Sequence, residues 1–134
     1  MGTVISKASV QRLEAVVSRT KGRVLIGGKR MTGTSALDGF NLSAGSFYAP
    51  TVIEDISVED ELWKEEVFGP VLVVTKFQTE EQAICLANNC KYGLGASLWT
   101  QDVSRAHRLA ALIESGLVWV NTHHRNDPSS PWCV

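Results

Sequence analysis

The sequence contains no apolar run approaching the ~18 residues that a bilayer span requires, and its first residues lack the charged and apolar regions of a secretory signal. It has no surplus of charge either. Thirteen basic side chains against 14 acidic ones leave a net charge of −1, too weak a field to gather phosphates or anionic lipids, so neither nucleic acid nor a membrane surface is expected as a partner. Cysteine is scarce: Cys85, Cys90 and Cys133 are an odd number without CxxC or other zinc-ligand spacing. That excludes a disulfide framework and a recognisable metal site, and fits a reducing, cytoplasmic setting. Internal repeats, low-complexity tracts and an interdomain linker are absent as well.

What remains is the composition of an ordinary globular chain, with 134 residues, 44% of them hydrophobic and 20% charged, enough for one domain with a real core. Met1-Gly2-Thr3-Val4-Ile5-Ser6 satisfies the formal pattern for myristoylation of Gly2. Neither a polybasic stretch nor a second lipid site accompanies it, so the match reads as accidental.

From Ser6 to Arg19, Val10, Leu13, Val16 and Val17 recur at helical spacing opposite Lys7, Gln11, Arg12 and Glu14, which predicts an amphipathic helix ended by Gly22. Val24-Leu25-Ile26 before Gly27-Gly28 predicts a short strand and a turn, residues 29–45 a loop or hairpin region, and Tyr48 to Ile53 a strand starting at or near Pro50. Asp60 to Glu66 is a short acidic helical turn, and Pro70 to Phe77 reads as a strand buried on both faces. Thr79-Glu80-Glu81-Gln82 has capping-box spacing, opening a helix with Ala83, Ile84 and Ala87 as its buried stripe. Leu94 to Trp99 follows as a strand, then a helix capped by Asp102 with Val103, Ala106, Leu109, Ala110 and Ile113 on one face, then a strand at Leu117 to Val120. The alternation of strand and helix predicts βαβ units, with the strands at 70–77, 94–99 and 117–120 as parallel neighbours in an α/β sheet covered by helices on both faces.

The string Glu65-Glu66-Val67-Phe68-Gly69-Pro70-Val71 resembles the EE(I/V)FGPV motif of aldehyde dehydrogenases. Ala87-Asn88-Asn89 with Tyr92-Gly93-Leu94, Ala96-Ser97-Leu98-Trp99-Thr100, and Ser115-Gly116-Leu117-Val118-Trp119-Val120-Asn121 follow in that family's order and spacing. The resemblance runs over nearly the whole chain, from Met1 to Trp132. It implies a parallel-sheet part of an aldehyde dehydrogenase catalytic domain over residues 1–134, the C-terminal part, truncated at both ends, without the dinucleotide-binding domain or the C-terminal oligomerisation segment. At the start, the first six residues resemble a segment well inside a full-length enzyme; at the end, the family continues with two glycines where this chain reads Cys133-Val134.

In that family a thiolate attacks the aldehyde, the adduct gives a hydride to the nicotinamide of NAD or NADP, and a glutamate-activated water releases the acid. By resemblance, Glu66 matches the glutamate that accepts hydrogen bonds from the nicotinamide ribose, a task suited to a carboxylate because it takes two hydroxyl donors at once. Phe68 matches the aromatic residue packed beside the nicotinamide ring. In an arbitrary sequence the same pair would be a solvated charge and plain core. Asn121 to Trp132 resembles the variable loop at the mouth of the aldehyde tunnel, making Trp132 and His124 the substrate-facing candidates; an aromatic wall favours aldehydes with apolar or aromatic bodies. Read without the family, His123-His124 is a pair of solvated loop histidines, and adjacent histidines without further ligands propose no metal.

The nucleophilic cysteine, the general-base glutamate and the oxyanion-holding asparagine of the family have no match in this chain. Cys85 and Cys90 fall on a helix read as structural, as small apolar side chains, and Cys133 has no identifiable base. The resemblance thus implies oxidation of a small-molecule aldehyde in an intact parent enzyme, and inactivity of this chain alone. Two alternatives stand beside it: a non-enzymatic interaction module whose sheet edge pairs with an intact homologue or a second copy, and a gene product whose missing parts lie in adjoining sequence.

Overall fold

The computed structural model describes residues 1–125 and 129. The chain divides into two compact units, residues 1–76 and 77–134. Among the described residues no helix is long and apolar enough to cross a membrane.

The first unit opens with α1 (Lys7–Arg19), whose N-cap Ser6 accepts a hydrogen bond from the Ser9 amide at 3.1 Å. Its buried residues are the four predicted from the periodicity, Val10, Leu13, Val16 and Val17. They cover a three-stranded mixed sheet in the order β1 (Arg23–Ile26), β2 (Thr51–Glu54), β3 (Val71–Val73), with β1–β2 antiparallel and β2–β3 parallel. Between β1 and β2, residues 29–45 carry isolated bridges and one turn of 3-10 helix at Leu42–Ala44, the hairpin-like loop expected there. The chain passes from β2 to β3 through α2 (Glu61–Lys64), capped by Asp60.

Alternation along β2 turns Thr51 and Ile53 inward. Ile53 joins Val16, Val17, Ile56 and Leu62 in one cluster, while Val10, Leu13 and Tyr48 form another; Val67 and Val71 pack against both. Leu13 is fully buried, so truncating it to alanine would cost about 2–5 kcal/mol. The same packing explains Gly69, where a Cβ would stand 2.5 Å from Leu13 Cδ2. Gly27 is required for a different reason. Its φ is +75° and a Cβ would lie 2.2 Å from the Pro50 carbonyl oxygen, so no L side chain fits.

Two expectations about the strand after Pro70 are corrected. It runs only over Val71–Val73, and it is not buried on both faces, since Leu72 and Phe77 are exposed. It also pairs with β2 rather than joining the two later strands in one sheet. The physical reason lies in the core: beside β2, Val71 and Val73 extend the apolar face that Ile53 presents to α1 and α2. This contact is worth more than adjacency in sequence, which favours neighbouring strands only on average.

The second unit contains α3 (Glu80–Ala87), β4 (Gly95–Leu98), α4 (Val103–Ala110) and β5 (Leu117–Val120). β4 and β5 are parallel neighbours joined through α4, as predicted, in register from Gly95 opposite Leu117 to Leu98 opposite Val120. Thr79 caps α3 by accepting the Gln82 amide at 3.2 Å, while Gln82 Oε1 takes the amide of Gln78, one residue before the cap, at 2.8 Å. Asp102 caps α4 through the Arg105 amide at 3.0 Å. The predicted stripes are only partly covered: Ala106 is buried, Ala83, Ile84, Leu109, Ala110 and Ile113 are half-buried, and Ala87 and Val103 are exposed.

Candidate cofactor and substrate site

Glu66 and Phe68 follow α2 in the first unit, on the segment that enters β3. Both are exposed, and Val67 between them is half-buried in the core. The segment is not the regular extended stretch that a two-residue spacing suggests. Phe68 has φ 48°, in the left-handed region, and the residue is 75% exposed. A bulky residue in that conformation costs roughly 1–2 kcal/mol, and persists only where its surroundings hold it.

The holding groups come from α1. Arg12 Nη2 donates to the carbonyl oxygens of both Val67 and Phe68, the latter at 3.3 Å. Next to it in sequence, Leu13 packs on Gly69. A charged donor contributes about 1.5–3 kcal/mol to a hydrogen bond, reduced here because Arg12 is exposed; what is left is comparable with the cost of the left-handed turn. Sequence reasoning placed Arg12 on the polar face of its helix without a role. No local signal could have found it, since 55 and 56 residues separate it from its acceptors.

His124 is exposed in the second unit, in the left-handed region with φ 56°. Its neighbour His123 is not merely solvated: Nδ1 lies 2.8 Å from the Ser97 hydroxyl, and its ring meets Trp119 edge-on at 5.7 Å. The Trp119 indole N–H donates to the Arg125 carbonyl at 3.0 Å. These bonds tie the first part of the loop to β4 and β5. Trp132 and Cys133 lie outside the described residues. Cys85 and Cys90, read as small apolar residues of a structural helix, are both exposed. Cys85 lies in α3, which has no fully buried position, whereas Cys90 falls beyond that helix, which ends at Ala87, and its Sγ donates to the Tyr92 carbonyl at 3.1 Å.

Residues 1–133 match the model of the aldehyde dehydrogenase family. The chain belongs to the aldehyde dehydrogenase family. Among curated relatives it is 40% identical over 134 residues to the NADP/NAD-dependent aldehyde dehydrogenase PuuC of Escherichia coli K12, a match covering 98% of this chain and 25% of that protein. It is 38% identical over 135 residues to the chloroplastic betaine aldehyde dehydrogenase of Beta vulgaris, with the same coverage. Among solved structures, HpcC from Thermus thermophilus superposes with a TM-score of 0.88 at 40% identity, over 95% of this chain and 25% of that one. A double mutant of Staphylococcus aureus betaine aldehyde dehydrogenase, solved with NAD+, gives 0.89 at 36% identity over 98% and 26%. This aldehyde dehydrogenase chain is thus an α/β partial domain, spanning about a quarter of the length of the relatives it matches.

Proposed function

We propose that this chain is the C-terminal part of the catalytic domain of an NAD(P)-dependent aldehyde dehydrogenase and supplies part of the wall against which cofactor and aldehyde are held. The observation that carries this reading is the Glu66-Val67-Phe68 segment. Val67 is anchored in the core while a carboxylate and an aromatic ring are presented on either side of it, within a chain that matches the family over residues 1–133.

The exposed groups suit a nicotinamide nucleotide. A carboxylate can accept both hydroxyls of a ribose, and the exposed Phe68 ring offers an apolar face to a heteroaromatic one. When bound, the nicotinamide accepts the hydride removed from the substrate. Glu66 and Phe68 would restrict how that ring can move, and orientation of this kind acts on the hydride-transfer rate rather than on affinity alone. His124, in the segment that follows β5, and Trp132, matched by sequence alone, are the proposed contacts to the aldehyde.

Transplanted with its flanking segment into a full-length relative, Glu66→Gln is expected to slow single-turnover nicotinamide reduction more than it weakens NAD+ binding. Unchanged hydride transfer together with unchanged affinity would reduce Glu66 to a solvated surface charge. The 134-residue chain alone is expected to show no reduction of NAD+ or NADP+ with aliphatic or aromatic aldehydes. Turnover that is abolished by Cys133→Ser would overturn that expectation.

A further inference from the structure

We infer that Arg12 is the positioning residue of the turn that carries Glu66 and Phe68, acting on the cofactor wall without being part of it. The inference rests on the reading of that turn as a nicotinamide wall for its functional meaning, but its geometry stands separately.

Successive carbonyls of an extended strand point to opposite sides, so a single donor cannot reach two in a row. Arg12 Nη2 nevertheless donates to the carbonyls of Val67 and Phe68 together. It can do so because Phe68, with φ 48°, reverses the alternation between them. The guanidinium therefore recognises the left-handed turn and not the extended alternative, and selects the state in which the Phe68 side chain is exposed. Its own position is set one residue further along α1, where fully buried Leu13 packs against Gly69 on the far side of the same turn. One helix thus grips residues 67–69 at two points, one polar and one apolar. A lysine could reach as a point donor, whereas methionine keeps the apolar stem and loses the bonds.

The test uses the isotope-labelled 134-residue chain and its Arg12→Met and Arg12→Lys variants. Phe68 amide–Hα coupling and Cα and Cβ shifts report its φ, and the Leu13 and Val67 methyl shifts report the core. In the parent chain Phe68 is expected to show the left-handed pattern. Arg12→Met is expected to lose it while the core methyls keep their shifts, and Arg12→Lys to restore it. If Arg12→Met does not fold, Arg12→Gln, whose amide ends two bonds short of the guanidinium Nη2, replaces it. A left-handed Phe68 in Arg12→Met or Arg12→Gln would overturn the inference, as would failure of Arg12→Lys to restore the pattern. With residues 1–76 transplanted into a full-length relative, Arg12→Met is expected to slow single-turnover nicotinamide reduction several-fold while NAD+ still binds. An unchanged rate there would overturn the clamp's part in cofactor positioning; loss of the Phe68 pattern together with a rate that Glu66→Gln and Phe68→Ala also leave unchanged would sink the cofactor reading and leave the clamp established.

Discussion

The side-chain amide of Asn121 closes on the backbone of Thr100 in both directions, its Oδ1 accepting the Thr100 N–H at 2.9 Å and its Nδ2 donating to the Thr100 carbonyl at 2.8 Å. The backbone N–H of Asn121 also donates to the Leu98 carbonyl at 2.9 Å. The end of β4 is thereby tied to the start of the loop after β5. Asn121 itself sits at φ 55°, a conformation that asparagine tolerates better than most residues.

Asn121→Ala removes both side-chain bonds and places a less tolerant residue at a positive φ. It is expected to lower stability by about 1–3 kcal/mol, read as a shift in the urea midpoint. Asn121→Gly loses the amide but not the backbone freedom, so it should fall between wild type and Asn121→Ala. In both variants the Thr100 amide should lose hydrogen-exchange protection first; retained protection would mean that the clamp contributes nothing.

At the start of α3, Glu80 bridges two arginines of α4, with Arg105 Nε at 2.5 Å and Arg108 Nη1 at 2.6 Å. The hydrogen bond from Arg108 is the main reason its carboxyl is held below the ordinary 4.5. A carboxylate depressed in the folded state stabilises above its unfolded value, and that contribution is lost as pH falls through the folded one. Wild type should therefore exceed Glu80→Gln in thermal midpoint at neutral pH, and the gap should close below about pH 4.5. Added salt should narrow it too, because the site is exposed. A gap that persists at pH values well below that range would assign the effect to packing instead.

Tyr48 is 2% exposed, and its hydroxyl meets no hydrogen-bond partner of good geometry among the described residues. Burial, with a smaller contribution from the charge of Glu14, raises its pKa above the ordinary 10.0. Thr51 offsets only part of this, since its hydroxyl already donates to Ala49 and accepts from Gly28. The folded state thus keeps the Tyr48 proton longer than the unfolded chain, and stability present below about pH 10 is lost as pH rises beyond it. Tyr48→Phe should flatten that alkaline limb and raise stability at neutral pH by about 0.5–1 kcal/mol, because an unsatisfied buried hydroxyl is costly. Destabilisation by more than ~1 kcal/mol would reveal a partner for the hydroxyl.

The sequence by itself determined the local elements and the family. Helix α1 and its four buried residues, the caps at Thr79 and Asp102, and the parallel β4–β5 pair follow from apolar period, capping chemistry and the βαβ alternation, because each depends on residues close together along the chain. Glu66 and Phe68 were singled out in the sequence as candidates for the cofactor wall, through a contiguous motif that resembles the family's. Only the tertiary structure decided where β3 pairs, why its outer face stays open, and how Phe68 is held. β3 sits beside β2 because Val71 and Val73 complete the core around Ile53. Phe68 turns left-handed where Arg12 and Leu13, on a helix more than fifty residues earlier, meet the chain again. Contacts of that range carry no period or spacing in the sequence, since they are fixed by which apolar faces bury one another once the chain has collapsed.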